Sequence, residues 1–267
     1  MSDVRVAKDE ATRVATITIT RPPNNFLTTE LVRDLADTLE SLAREGGIHA
    51  AIVCSEGKHF CAGRDFSTPR AEGDEASDLY GEAVRLITSD LPWVAAIQGA
   101  AIGGGLGLAL AADFRVALPR ARFSANFSLL GLHHGFGLSV LLPRLVGHQA
   151  ASRLLVTGER IGGRRAAELG LVDVLVEPPA IEGRDADLED ERPALMAAAH
   201  VLATSIAEAA PLAVREIRAT LRADLAERFV AATAREAEKQ LRLRATEDFA
   251  EGVAATKERR PARFVGR

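Results

Sequence analysis

A chain of 267 residues with 47% hydrophobic and 26% charged side chains is long enough to bury a sizeable core as one large domain, with or without an appendage. Its formal net charge of -4 leaves no basic surplus, which argues against a general affinity for nucleic acid or for an anionic membrane surface. Cys54 and Cys61, its two cysteines, are too few and too unevenly placed for a disulfide framework or a metal knuckle. The charges are interrupted neither by a signal-type apolar segment nor by a membrane-length one, so a cytoplasmic protein without a metal site is expected.

In chain order, "VATITIT" (Val14 to Thr20) alternates with β-branched residues and predicts a strand, closed by the turn-rich "RPPNNFLT". Leucines at 31, 35, 39 and 42 predict an amphipathic helix over 27–44, with Thr28 or Thr29 as its cap. "AAIVCS" (Ala50 to Ser55) reads as a buried strand and "EGKHFCAGRDFS" as a loop. Residues 78–89 then read as a helix, "WVAAIQG" as a strand, 104–111 as a helix and "FRVAL" (Phe114 to Leu118) as a strand. This alternation belongs to the α/β class. The charged, proline-broken stretch Glu177 to Ala194 predicts a surface loop. From Ala194 onward Ala, Leu, Arg and Glu dominate, which predicts helices broken at Pro211. The expected division is an α/β core over 1–193 and a helical region over 194–267. Loosely similar strand and helix units recur, without a repeat of fixed period.

"IGGGLGLAL" (Ile102 to Leu110) sets three glycines between a strand and a helix. Such a junction aims unpaired N-terminal amides at its loop and lets a ligand reach the backbone, so it suits bound or developing negative charge. A dinucleotide phosphate loop fits poorly. Gly103, Gly104, Gly105 and Gly107 do not give the G-x-G-x-x-G spacing, and no acidic residue follows about 20 positions on to hold a ribose. Close helix packing is the remaining structural reason for glycine here.

Four ordered blocks decide between these readings. They are "HFCAGRDF" (His59 to Phe66), "QGAAIGGGLGLALAADFRVA" (Gln98 to Ala117), "RFSANFSLLGLHHGFGLSVLLPRLVG" (Arg122 to Gly147) and "EGVAATKERRPARF" (Glu251 to Phe264). Together they resemble the crotonase (enoyl-CoA hydratase/isomerase) superfamily from about Val14 to the C-terminus. The resemblance implies a spiral core of ββα units, with C-terminal helices that pack trimers or dimers of trimers. It also implies an acyl-CoA substrate whose thioester carbonyl becomes an enolate, with coenzyme A as part of the substrate and no separate cofactor. The backbone N–H groups matching the two oxyanion donors are those of Arg64 and Gly104, and preorganised donors of this kind contribute about 3 to 4 kcal/mol each to a transition state.

Family hydratases carry two glutamates, one three residues after the second donor and one about twenty residues beyond. The matching positions here hold Gly107 and Phe127, neither of which transfers a proton. Double-bond isomerisation, decarboxylation or C–C cleavage is therefore expected before hydration, and a non-catalytic acyl-CoA carrier is the alternative. His134, then His133, are the expected proton-transfer candidates, because they follow "NFSLLGL" in a segment that lines the acyl end of the family's cavity. Either imidazole is equally compatible with a helix cap or a solvent-facing position. His59, Tyr80 and Glu82 stand behind them. By the same match the Ala62 carbonyl reads the adenine, Asp65 fixes its loop, and Arg259 offers a cation to a neighbouring subunit's CoA phosphate. Phe66, Phe127, Leu129, Phe136 and the helix at 78–89 are expected to form an apolar acyl wall.

Overall fold

The computed structural model describes residues 3–65, 76–178 and 187–267. Strand β1 (Val4–Asp9) runs antiparallel to β2 (Val14–Ile19), which leads into helix α1 (Thr29–Glu45). The Thr28 hydroxyl accepts from the Leu31 amide at 3.2 Å and sets the start of α1, and its predicted leucines form the buried face. Next come β3 (Ala50–Ser55), α2 (Ala76–Thr88), β4 (Trp93–Ile97), β5 (Ala100–Ile102), α3 (Gly104–Ala111), β6 (Phe114–Ala117) and β7 (Arg122–Ser124). A short 3-10 turn at Ser128–Leu130 precedes α4 (Leu138–Thr157), β8 (Arg160–Gly162), α5 (Gly163–Glu168) and β9 (Val174–Leu175). Helices α6 (Leu188–Ala207), α7 (Pro211–Leu221), α8 (Leu225–Leu243) and α9 (Glu247–Glu258) complete the chain. Among the described residues no single helix is long and apolar enough to cross a membrane.

The described strands form two sheets, one ordered β1-β2-β3-β4-β6-β9 and one ordered β5-β7-β8. From β2 to β9 the larger sheet is parallel, so its central strands are covered on both faces. The two-residue period divides its side chains. Ile17, Ile19, Val53, Trp93 and Ile97 point into a core with α1 to α4, whereas Val14, Ile52, Val94 and Val116 meet α6 on the other face. Ala199, Ala203 and Ala207, one per helical turn, let α6 lie close to the sheet.

Two expectations need correction. The stretch expected as loop from Glu177 to Ala194 is already helical from Leu188, while its residues 179–186 lie outside the described residues. Asp187 caps α6 with Asp190 in a reciprocal pair, and the local acidity is the helix start, with Glu189, Asp190 and Glu191 set against the positive end of its dipole. The boundary drawn between residues 193 and 194 consequently falls inside α6, a helix that covers the sheet. Pro211 does begin a helix, at the first turn of α7, where its missing N–H costs nothing.

Candidate active site

Two chain segments meet at the open end of the sheet. Cys61 and Ala101 form an isolated parallel bridge, the Cys61 amide donates to the Ala100 carbonyl at 2.9 Å, and the Ile102 amide donates to the Cys61 carbonyl at 3.1 Å. Glycines permit this approach. A Cβ on Gly105 would lie 2.2 Å from the Cys61 carbonyl oxygen, and one on Gly63, whose φ is +85°, would lie 2.6 Å from that of Ile102. Buried side chains hold the incoming loop. Asn25 donates to the carbonyls of Glu56 (2.8 Å) and His59 (2.7 Å), and Gln98 to that of Ser55 at 3.1 Å. Arg192 of α6 braces the same turn through the Ser55 and Gly57 carbonyls.

Arg64 and Gly104, on these adjoining segments, both border two cavities. A groove of about 410 Å³ is lined by Ala62, Asp65, Gly103 and Asn126, with Val253, Thr256 and Lys257 of α9 on its far wall. A smaller cavity of about 50 Å³ is lined by Leu27, Leu79, Tyr80, Leu132, Gly135, Phe136, Gln240 and Arg244. Arg64, Gly104 and Phe127 line both. Gly104 opens α3, so its N–H has no carbonyl of its own helix to bond and sits at the positive end of the helix dipole. A carbonyl oxygen at this junction would place a long substrate arm in the groove and a small group in the cavity. The Cys61 thiol, buried beside them, is pushed up to about 12 by desolvation and stays unionised at neutral pH.

At the two positions assigned to glutamates, the geometry explains what is present. A Cβ on Gly107 would lie 2.6 Å from both Cβ and Cδ1 of Phe136, so the phenylalanine ring occupies the space a side chain at 107 would enter. Phe136 itself adopts a left-handed backbone (φ 59), an unfavourable conformation for an aromatic residue. Its ring is held edge-on by Phe229 of α8, with centroids 6.3 Å apart. Phe127 is 8% exposed and caps the 3-10 turn.

His133 and His134 do not line either cavity. Their rings stack on each other with centroids 4.1 Å apart, and His133 Nδ1 donates to the His134 carbonyl at 2.8 Å. His134 Nε2 lies 3.6 Å from the buried Glu236 carboxylate, yet burial and its histidine neighbour push its pKa down to about 4, so it is neutral. Glu236 serves the loop instead, accepting from the amides of Gly137 and Ser139 and from the Ser139 hydroxyl. Arg259 ends α9 on the exposed surface, and the α9 cation on the groove wall is Lys257, two residues earlier and one turn beyond Val253. Arg260, beside it, is occupied by Glu251 and Glu258. Leu129 is 51% exposed and lies off the acyl wall. Glu82 is engaged by Arg33 and Arg85 on the surface. Phe66 lies outside the described residues.

Tyr80 is the residue that gained most from the folded structure. It comes from α2, is 7% exposed and donates its hydroxyl to Gln240 Oε1 at 3.3 Å. Burial and the nearby Glu236 charge push its pKa up to about 12, so it is a neutral hydroxyl donor at physiological pH. Gln240 and Arg244, one and two turns along α8 from Glu236, were invisible as site residues because more than a hundred residues separate them from Gly135. A polar residue at each turn on the buried face of α8 was the available signal.

Residues 9–267 match the enoyl-CoA hydratase/isomerase family. The chain belongs to that family. A probable enoyl-CoA hydratase of Bacillus subtilis is 30% identical with full coverage of both chains, and a 2,3-dehydroadipyl-CoA hydratase of Escherichia coli is 32% identical, also over the whole of both. A crystal structure of an enoyl-CoA hydratase/isomerase from Pseudoalteromonas atlantica superposes with a TM-score of 0.83 at 29% identity, covering 98% of this chain and 100% of that one. The expected crotonase-type fold is therefore the fold of the chain, C-terminal helices included, and the enoyl-CoA hydratase/isomerase family is a family of enzymes that process acyl-CoA thioesters.

Proposed function

We propose that the N–H groups of Arg64 and Gly104 form an oxyanion hole for the enolate of an acyl-CoA thioester, and that the reaction is isomerisation, decarboxylation or C–C cleavage before hydration. The larger groove takes the CoA arm, with the Ala62 carbonyl and Lys257 beside it, and the small cavity takes the acyl group. The observation that carries this reading is the lining of that cavity. Among the described residues it contains neither carboxylate nor imidazole, and Phe136 fills the space at Gly107. The relatives named as hydratases favour hydration by analogy, but function follows site chemistry and not the fold. Exposed apolar side chains on α7, Leu212, Ile217 and Leu221, support self-association, read as a trimer or a dimer of trimers.

Incubation with a panel of acyl-CoAs, with binding and products followed by mass spectrometry, tests the reading. Turnover to a product other than the hydrated thioester supports it, and tight binding without any turnover favours the carrier alternative. Gly104→Pro adds a discriminating variant. Proline is tolerated at the first helical position and deletes the N–H itself, while its ring meets the movable end of Leu27. Loss of one such donor lowers kcat by about 10²- to 10³-fold, and an unchanged rate in a folded variant would remove Gly104 from the hole.

A further inference from the structure

We propose that Asn126 is a substrate-binding residue of this site, its side-chain oxygen accepting the N–H of the amide nearest the sulfur in the pantetheine arm of coenzyme A. The proposal rests on the oxyanion-hole reading above. Asn126 lines the groove of about 410 Å³ together with Arg64, Gly103 and Gly104, and it is not among the described residues that line the small cavity. The group it meets therefore belongs to the arm and not to the acyl chain.

Backbone bonds hold the carboxamide close to the glycine junction. The Gly103 amide donates to the Ser124 carbonyl at 2.8 Å, and Ile102 pairs with Ser124 across β5 and β7, which ties the turn carrying Asn126 to the strand that ends at the glycines. The Phe127 amide closes that turn on the Ala125 carbonyl at 2.8 Å. A Cβ on Gly103 would lie 3.5 Å from Asn126 Oδ1, so a side chain there would cover the oxygen and glycine leaves it open. Covalent geometry puts such a Cβ within about 4 Å of the next nitrogen, so Oδ1 stands no more than about 8 Å from the Gly104 N–H. One ligand reaches both.

The chemistry of the arm selects the amide. The thioester oxygen has two lone pairs and two donors, Arg64 and Gly104, so a third group there is redundant. The next hydrogen-bonding group along the arm is the amide N–H, two methylenes beyond the sulfur, and it needs an acceptor. Within the described residues the Asn126 side chain makes no hydrogen bond, whereas Asp65 already has a partner and the Gly63 carbonyl is taken by the Leu27 amide at 2.9 Å. Thr256 and Lys257 stand on the far wall. Phe26, Ile102, Leu130 and Val253 are apolar, so beside them the N–H of a bound arm loses its water without replacement.

The test is a cycle between protein and ligand, read by calorimetry on the full chain. One ligand is acetyl-CoA, and the other is the same molecule with CH2 in place of that amide N–H. Asn126→Leu exchanges the carboxamide for a hydrocarbon of similar size, and Asn126→Ala controls for crowding of the groove. Both variants are expected to bind acetyl-CoA about 5- to 10-fold more weakly than the parent, the worth of one hydrogen bond, and to change binding of the analogue by less than about twofold. The parent should bind the analogue about as weakly as the variants bind acetyl-CoA. Equal losses for the two ligands, or no loss for either, overturn the role of Asn126 and leave the oxyanion-hole reading standing. If the parent does not bind acetyl-CoA, both readings fall.

Discussion

A side chain at 107 and an aromatic ring at 136 exclude each other, because the first atom beyond the backbone at Gly107 would already lie 2.6 Å from Phe136. Gly107→Ala is therefore expected to destabilise the chain by about 1 to 3 kcal/mol through overpacking. Combined with Phe136→Ala it should cost less than the sum of the two, a coupling that a double-mutant cycle in urea reads directly. Additive effects would mean the two positions are independent. The same contact means that writing glutamates into 107 and 127 cannot install the hydratase pair unless the chain at 136 shifts, because the Phe136 Cβ as well as its ring lies 2.6 Å from a Cβ at 107. His134 gives a second expectation, in pH. Its folded pKa, about 4, lies below the unfolded value, so its neutral form adds stability that is fully present above about pH 6.5 and is lost as the pH falls towards 4. The loss amounts to about 3 kcal/mol at most. Glu236, raised by burial, works in the opposite sense as it protonates and blunts the fall. His134→Leu should flatten the melting temperature over that interval, and a slope equal to the parent's would contradict the assignment.

Helix α7 has no buried residue and is held to the core through polar contacts. Arg218 and Arg222 both reach Asp113, at 2.7 and 2.8 Å, and donate further to the carbonyls of Ser89, Ile87 and Ala111. Removing the acid leaves two largely buried guanidiniums without their counter-ion, so Asp113→Ala is expected to cost about 3 to 5 kcal/mol. Hydrogen exchange should show α7 opening first, and wild-type protection there would place the anchor elsewhere. Periodicity alone could place α1, β3, β4 and α3, since each buries one face or all of itself. It could not find β1, whose side chains are almost all exposed at a sheet edge and give no two-residue hydrophobic rhythm. Nor could it find the start of α6, where the acidic first turn reads as loop until its cap is seen.

In the folded chain the glycine cluster was legible because its chemistry is local: strand end, bare backbone and helix start are consecutive in sequence. The small cavity was not, since it is assembled from α2, α3, the loop before α4 and the last turns of α8, and the fit of Phe136 against Gly107 has no local signature. The histidines, conspicuous in sequence, turned away from the cavity because Glu236 and the loop it secures occupy that side. Both the fold and the family accordingly point to acyl-CoA chemistry, and only the packed side chains bear on which chemistry. The most direct measurement is hydration of crotonyl-CoA by the unmodified protein, recorded beside its binding of the same thioester. Each missing proton-transfer group costs about 10²- to 10⁴-fold, so binding is expected with no 3-hydroxybutyryl-CoA formed above the buffer rate. Hydration at an ordinary enzymatic turnover of about 10 s⁻¹ would contradict the reading of Gly107, Phe127 and Phe136 on which the account depends.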